Sequence, residues 1–426
     1  MMASPDLGAG LSRIPPIALR NVRHGGRRTF AAVAGVAFAV TMVLLQLGFY
    51  GAVKITATNL YEQLDFDVVL LAATYDQFFA SGEFPMERLR QAMSVAAVAR
   101  AMPLYATFNL WRCPPYPLDD PRAALDDERP EPGPLRRWLL GDRLPRPLKR
   151  RELLVIGVAL EDDPFLGPIR AAIDRARPRL QEPRSVLLDE LSNLDFGWPL
   201  VGRFDGWEMG ATAVRVVGGF PLLRGFAADG VAICSDLDFA RLCGRPTTQV
   251  VQFGFLKLRE PDAASVAAAC RALREILPPD VVPYSRAEIL RRETEHWVGQ
   301  TATGKLFAFG VLVATIVAAA VIYQVLSNDV RDHLAEYATL KAMGHTNAFL
   351  SRVVVEQALL YAGSAYLIAV GLGLALYRAT EALAGIPMRL TPQVLGLTLL
   401  VTALTGLISA VFTLEKVWRT NPADLF

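Results

Sequence analysis

"GQTATGKLFAFGVLVATIVAAAVIYQVL", Gly299 to Leu326, admits two readings that lead to different proteins. Gly299 to Lys305 fits the start of G-x-x-x-x-G-K-[ST], the loop whose backbone amides cradle nucleotide phosphates. Leu306 to Leu326 is an apolar run of the length a membrane-spanning helix needs, roughly 20 residues. The nucleotide reading requires a strand before the loop and a hydroxyl after the lysine to hold Mg²⁺. Leu306 occupies the hydroxyl's place, and "SRAEILRRETEHWV" before the loop is helix-like. The stretch therefore reads as a span, with Lys305 at the membrane interface, where its amine reaches water. The fit to a phosphate loop is a coincidence of composition.

Three other stretches qualify as spans: Thr29 to Val53, Val353 to Tyr377 and Val394 to Leu414. None has a charge at its centre. The first is too long for a signal-peptide core, and no small-x-small cleavage site precedes a polar mature start. The whole composition agrees. Of 426 residues, 52% are hydrophobic and 20% are still charged, and mean hydropathy is +0.30. That mixture indicates membrane spans plus a sizeable aqueous domain. The net charge of +2 gives no basic field for nucleic acid. The cysteines and histidines lack metal-ligand spacing, so neither a metal nor a cofactor is expected.

Basic residues near the spans set the orientation. Arg13, Arg20, Arg23, Arg27 and Arg28 precede the first span; Lys54 and then Glu62, Asp65, Asp67, Asp76 and Glu83 follow it. Both termini are then cytoplasmic in a multi-pass membrane protein, and Lys416 and Arg419 agree. The fold expected is an α-helical membrane protein with four transmembrane helices plus a large α+β extracytoplasmic domain between the first and second. The expected divisions begin with a cytoplasmic basic segment (1–28), transmembrane helix 1 (29–53), a periplasmic domain (54–285), a stalk helix (286–305) and transmembrane helix 2 (306–326). A cytoplasmic coupling loop (327–352), transmembrane helix 3 (353–377), a short outer loop (378–393), transmembrane helix 4 (394–414) and a cytoplasmic C-terminus (415–426) complete the chain.

Arg13 to Arg28 reads either as a basic helix on anionic lipid or as a positive tail that only sets topology. In the large domain, Asp67–Ala72, Glu152–Leu160 and Thr212–Phe220 read as strands. "PMERLRQAMSVAAVARA" reads as a helix opened by Pro85. "VVQFGFLKL", "DAASVAAACRALREIL" and "DVVPYS" give strand, helix, strand. From Cys113 to Arg151 the composition turns to Pro, Arg and Asp and cannot build a core. Its cluster Arg143, Arg146, Lys149, Arg150 and Arg151 reads as a solvated loop or as a contact to lipid or an acidic partner. A periplasmic setting permits disulfides among Cys113, Cys234, Cys243 and Cys270. Cys234–Cys243 is the more plausible pair, with buried thiols the equal alternative.

Ser285 and Glu288 form a capping box. One helix from about Arg286 to Leu326 is expected, on the order of 60 Å long. Gly299, Gly304 and Lys305 mark the join of stalk and membrane. After the second span, Val330, Leu334, Tyr337 and Leu340 share helical spacing, and Gly344 supplies a stop. A short amphipathic helix therefore lies between two spans. Glu356, near the cytoplasmic end of the third span, reads as a capping or interface group rather than a substrate carrier.

"DHLAEYATLKAMGHTNAFL", Asp332 to Leu350, closely resembles the loop of heterocyst-type DevC permeases, within the MacB/FtsX-like family of ABC transporter permeases. "ALRNVRHGGRRT" is similar to that family's N-terminal segment, and "NPADLF" to its ending. The order of one span, large domain and three spans matches as well. The Cys113–Arg151 insertion has no counterpart. The resemblance implies a permease homodimer without catalysis of its own, driven by a separate ABC ATPase subunit. Glu336, Tyr337, Leu340, Lys341 and Gly344 would form the ATPase contact. A membrane-fusion adaptor protein would dock outside and lead to an outer-membrane channel, with membrane lipid as one class of cargo. An alternative is a mechanotransmitter that uses ATPase motion to regulate a cell-envelope enzyme. The outer segment carries no G-x-S-x-G or H-E-x-x-H motif of its own.

Overall fold

The computed structural model describes residues 26–113, 150–192, 196–198, 201–202, 206–222 and 228–419. Most of the N-terminal basic segment, the 114–149 part of the insertion with Arg143, Arg146 and Lys149, and "NPADLF" lie outside the described residues. In chain order the elements begin with α1 (Gly26–Glu62), β1 (Val68–Ala72), β2 (Phe84–Pro85), α2 (Met86–Ala92), β3 (Val98–Arg112) and β4 (Arg151–Val158). They continue with α3 (Gly167–Leu180), β5 (Ser185–Asp189), β6 (Trp207–Met209), β7 (Thr212–Phe220), β8 (Val231–Ser235), α4 (Asp236–Cys243), β9 (Val250–Val251) and β10 (Phe253–Leu258). The last are α5 (Ala263–Ile276), β11 (Val281–Ser285), α6 (Arg286–Glu295), α7 (Ala302–Asp332), α8 (Leu334–Ala342), α9 (Asn347–Ala384) and α10 (Pro392–Arg419).

The chain divides into two units. A helical unit comprises residues 1–51, 305–379 and 388–426; an α+β unit comprises 52–304 with 380–387.

Among the described residues, four helices are long and apolar enough to cross a membrane: Thr29–Glu62, Ala302–Asp332, Asn347–Ala384 and Pro392–Leu414. With the α+β unit inserted between the first and second, the chain is a multi-pass membrane protein. In the helical unit Val36, Val40, Ile322, Ala365 and Ala369 form one buried cluster, and Leu326, Val330, Tyr337, Val353, Val354 and Leu414 belong to another. Hydroxyls tie helix to helix. Tyr377 of α9 donates to the Leu44 carbonyl of α1 at 2.5 Å, and Ser409 of α10 to the Ala319 carbonyl of α7 at 3.1 Å. Leu306, Phe309, Leu312 and Ile316 of α7 stay exposed, as suits a helix solvated by lipid.

Among the described residues, the α+β unit is built on a nine-stranded mixed sheet in the order β11-β1-β10-β3-β4-β8-β5-β7-β6, with β6 returning to pair with β3. The run "VVLLA" of β1 is buried at every position because both faces of the sheet are covered. Val68, Leu70 and Ala72 enter one core, with Leu89 of α2 and Leu273 of α5. Val69 and Leu71 enter the other, with Ile169 and Ile173 of α3 and Ile289 of α6. The alternation follows from side chains pointing to opposite faces with period two. The order β11-β1-β10-β3 is a split β-α-β arrangement, and strands β4 to β8 are inserted between β3 and β10.

Three sequence expectations meet a different outcome. "PMERLRQAMSVAAVARA" is helical only over Met86–Ala92, and from Val98 it is strand β3. Pairing of Val98–Ala101 with β10 overrides its local helix propensity. Cys234 and Cys243 form no disulfide; the thiol alternative holds, with Cys234 fully buried in a core. The single helix from Arg286 to Leu326 is interrupted. α6 ends at Glu295, a π turn covers His296–Gln300, and Thr301 is extended with φ −73° and ψ 152°. Thr301 caps α7 instead of continuing α6, its Oγ1 accepting from the Gly304 amide at 3.1 Å.

Candidate functional site

The segment Asp332–Leu350 is shaped by its own local chemistry. α7 ends where His333 leaves helical geometry, with its Nδ1 2.9 Å from the Asp329 carbonyl oxygen. α8 follows at once and stops at Gly344, whose φ is +91°. The His345 amide donates to the Leu340 carbonyl and the Gly344 amide to the Lys341 carbonyl, both at 3.1 Å. This is the paired closure that a left-handed glycine allows. Thr346 begins the next helix by accepting from the Phe349 amide at 3.3 Å.

The expected contact residues separate into two sets. Tyr337 is buried, and Leu340 packs partly buried against the cluster of Leu326, Val330, Val353 and Val354. The Tyr337 hydroxyl donates to Oε1 of Gln357 at 2.9 Å. Burial pushes that hydroxyl well above the usual tyrosine range, so it remains a donor. Glu336 and Gly344 are exposed and Lys341 is half-buried, while Met343 is 65% exposed. α8 is thus held on one face by Tyr337 and Leu340 and presents Glu336, Met343 and Gly344 outward. Glu356 forms an ion pair with Arg352 at 2.9 Å.

Gly299 is exposed, whereas Gly304 is buried. A Cβ on Gly304 would lie 2.2 Å from the Trp297 carbonyl oxygen and 2.4 Å from that of Val298, so only glycine fits beneath this turn. Lys305 is exposed and begins the next segment of the helical unit.

Sequence reasoning missed a buried polar chain beside the π turn. Glu293 of α6 is fully buried and accepts from the Tyr75 hydroxyl, which lies 2.9 Å from the Tyr61 hydroxyl. Burial pushes the Glu293 carboxyl up to about 7. Arg292 turns the other way, donating to the Tyr284 hydroxyl at 2.6 Å and the Tyr75 carbonyl at 2.7 Å. In the sequence Glu293 looks like any other acid in the charged run "RRETE", so no signal there marks it as buried. Among the described residues, no group of three His, Cys, Asp or Glu side chains is placed to hold a metal ion.

Residues 308–422 match the family described as FtsX-like permease C-terminal. That span contains most of α7 and all of α8, α9 and α10. No curated protein matches the chain. Among solved structures, the chain is similar to the extracellular domain of the noncanonic ABC-type transporter YknZ from Gram-positive bacteria, at 9% identity and TM-score 0.29, covering 52% of this chain and 100% of that one. It is also similar to the periplasmic region of MacB from Actinobacillus actinomycetemcomitans, at 8% identity and TM-score 0.33, covering 54% of this chain and 94% of that one. At that distance neither likeness bears on what this chain binds or moves.

Proposed function

We propose that this chain is the permease subunit of an ABC-type exporter of the MacB/FtsX-like kind, with the DevC type as the particular variety. ATP hydrolysis belongs to a separate ATPase subunit. That subunit engages the Asp332–Leu350 segment on the cytoplasmic side, where both termini also lie. The permease works as a homodimer and passes the ATPase's movement to the α+β unit in the periplasm. A membrane-fusion adaptor and an outer-membrane channel complete the route for lipid or another substrate.

The observation that carries this reading is the form of α8 within a region that matches an FtsX-like permease. It is a short helix between two apolar helices, anchored by Tyr337 and Leu340, with Glu336 and Met343 open on the other side. A helix anchored on one face and open on the other receives a push and delivers it to its neighbours α7 and α9. Such coupling requires contacts that differ between two states.

The test is co-purification of the intact complex from the native membrane, followed by reconstitution with the ATPase recovered. Stimulation of ATP hydrolysis by the permease is expected, and Glu336→Arg should abolish most of it. ATP turnover by the purified chain alone, or protease mapping that puts residues 60–290 in the cytoplasm, would sink the reading. Recovery of an envelope hydrolase in place of an adaptor would replace export with enzyme regulation.

A further inference from the structure

Glu293 sits in the last turn of α6, directly before the π turn His296–Gln300 and the extended Thr301. It is fully buried. Its Oε1 accepts from the Tyr75 hydroxyl, while Oε2 has no hydrogen-bond partner among the described residues. An ionised carboxylate offers about four acceptor sites and no donor. A pocket that fills so few of them suits the neutral acid, because a buried charge without partners is costly.

The charged and titratable groups around this carboxyl come from several elements. α1 brings Tyr61, whose hydroxyl is 2.9 Å from that of Tyr75. The segment between β1 and β2 brings Tyr75 and Asp76, and Asp76 Oδ1 lies 3.7 Å from His296 Nδ1 in the π turn. β10 contributes the ring of Phe253, edge-on to Tyr75. Arg292 is a cation on the same helix, but its guanidinium donates to the Tyr284 hydroxyl of β11 and to the Tyr75 carbonyl. The Phe78 amide and the Trp297 ring N–H favour the charged form of Glu293, yet burial outweighs them and pushes the carboxyl up to about 7.

These elements are not held equally firmly. Tyr61 and Phe78 pack on Phe255 and Phe253 of β10, inside the sheet core. Arg286 fastens the end of α1 by donating to the Leu64 carbonyl at 2.6 Å and the Tyr61 carbonyl at 3.2 Å. The π turn has less to hold it. The Thr301 amide donates to the His296 carbonyl at 3.2 Å, and the Trp297 ring meets that of Phe79 edge-on at 6.2 Å between centroids. Gly299 and Gln300 are exposed. Few buried contacts and exposed backbone mark the turn as the side that opens first.

We propose that Glu293 is a proton switch on the turn that follows α6: with its proton the π turn stays closed over the carboxyl, and without it the turn opens locally and water reaches Oε2. The proton passes to solvent, and water supplies the donors that the closed pocket lacks. Opening gives up the few contacts of the turn. Staying closed keeps an unpaired charge out of water, which is the larger loss. Tyr61, Tyr75, Glu293 and the turn all lie within residues 52–304. The switch therefore belongs to the α+β unit, responds to the proton activity of the compartment that unit faces, and stands whether or not the chain works with an ATPase.

The experiment is hydrogen exchange of the full chain in lipid nanodiscs, read by mass spectrometry as protection factors, so that the intrinsic pH dependence of exchange is removed. Protection over residues 296–304 should fall roughly tenfold or more between about pH 5.5 and 8.5. At both values it should stay below that of β1, as local opening requires. Glu293→Gln keeps an acceptor for Tyr75 and loses the titration, so its protection at the two values should agree within about twofold. His296→Gln removes the other titratable side chain at the turn and should keep the wild-type response. Protection in the wild type that is flat or rises with pH overturns the proposal. So does a response that survives in Glu293→Gln or vanishes in His296→Gln. Protection of 296–304 equal to that of β1 overturns it too, since the turn then opens only with the whole unit. Should Glu293→Gln not fold, the wild type and His296→Gln decide between them.

Discussion

Tyr337 and Gln357 meet through a 2.9 Å hydrogen bond that joins the short helix α8 to the long helix α9. Gln357 is fully buried, and its Nε2 has no acceptor among the described residues. The tyrosine hydroxyl is what satisfies the other end of that amide. Tyr337→Phe should cost about 1–3 kcal/mol, because a buried amide loses its partner while its desolvation remains. Tyr337→Phe combined with Gln357→Leu should recover most of that loss. Thermal unfolding of the four proteins of this cycle in one detergent measures it; additive losses would contradict the pairing.

Glu336 and Leu340 sit one turn apart yet should respond differently. Glu336 is exposed, so Glu336→Arg should leave the unfolding temperature within about a degree or two while abolishing most of the stimulation of ATP hydrolysis. Leu340 packs against Val330 and its neighbours, so Leu340→Asp should lower stability by about 1–3 kcal/mol as well. Comparing melting curves with ATPase stimulation for both variants separates contact from packing.

Glu293 makes the α+β unit sensitive to pH. Its carboxyl is pushed up to about 7, from an ordinary 4.5, by burial. The folded state therefore holds this proton more tightly than the unfolded chain. Its stabilising contribution is fully present below about pH 4.5 and is lost as pH rises through about 7, after which it is constant. Glu293→Gln keeps an acceptor for Tyr75 and removes the charge. At about pH 8 it should be more stable than wild type by up to about 3 kcal/mol, with no gain near the ordinary carboxylate range. Denaturant titrations at the two pH values, followed by tryptophan fluorescence, check the sign.

Gly304 is the tight point of the turn between α6 and α7. Gly304→Ala would drive a methyl group against the Trp297 and Val298 carbonyls. A loss of about 1–3 kcal/mol is expected, with faster hydrogen exchange at the amides of residues 296–304. Exchange unchanged across that stretch would show that the turn tolerates a side chain.

The spans and the main strands were legible because their signals are local. "VVLLA" is apolar throughout since both its faces are covered, and the capping box at Ser285 and Glu288 is present as the spacing implied. The break at Thr301 was not legible. Its glycine and threonine neighbours are tolerated in a helix, and the decision is made by one hydroxyl that caps α7 rather than by the run as a whole. Strand β3 was hidden for a related reason: "MSVAAVARA" suits a helix, and only the distant β10 holds it extended. In the candidate site, the apolar spacing correctly grouped Val330, Tyr337 and Leu340. It could not tell that Tyr337 faces inward with a polar partner, because Gln357 lies in another helix.

β1 sits between two strands that are synthesised long after it. Its neighbours are β10 and β11, with Leu70 opposite both Gly254 and Pro283. A ribosome adding roughly 5–20 residues per second makes the first partner only after β4 to β8 have been made. During that delay "VVLLA" is a sticky segment without its sheet, open to the wrong neighbours. β1 can therefore take its place in the sheet only once translation has passed β10 and β11.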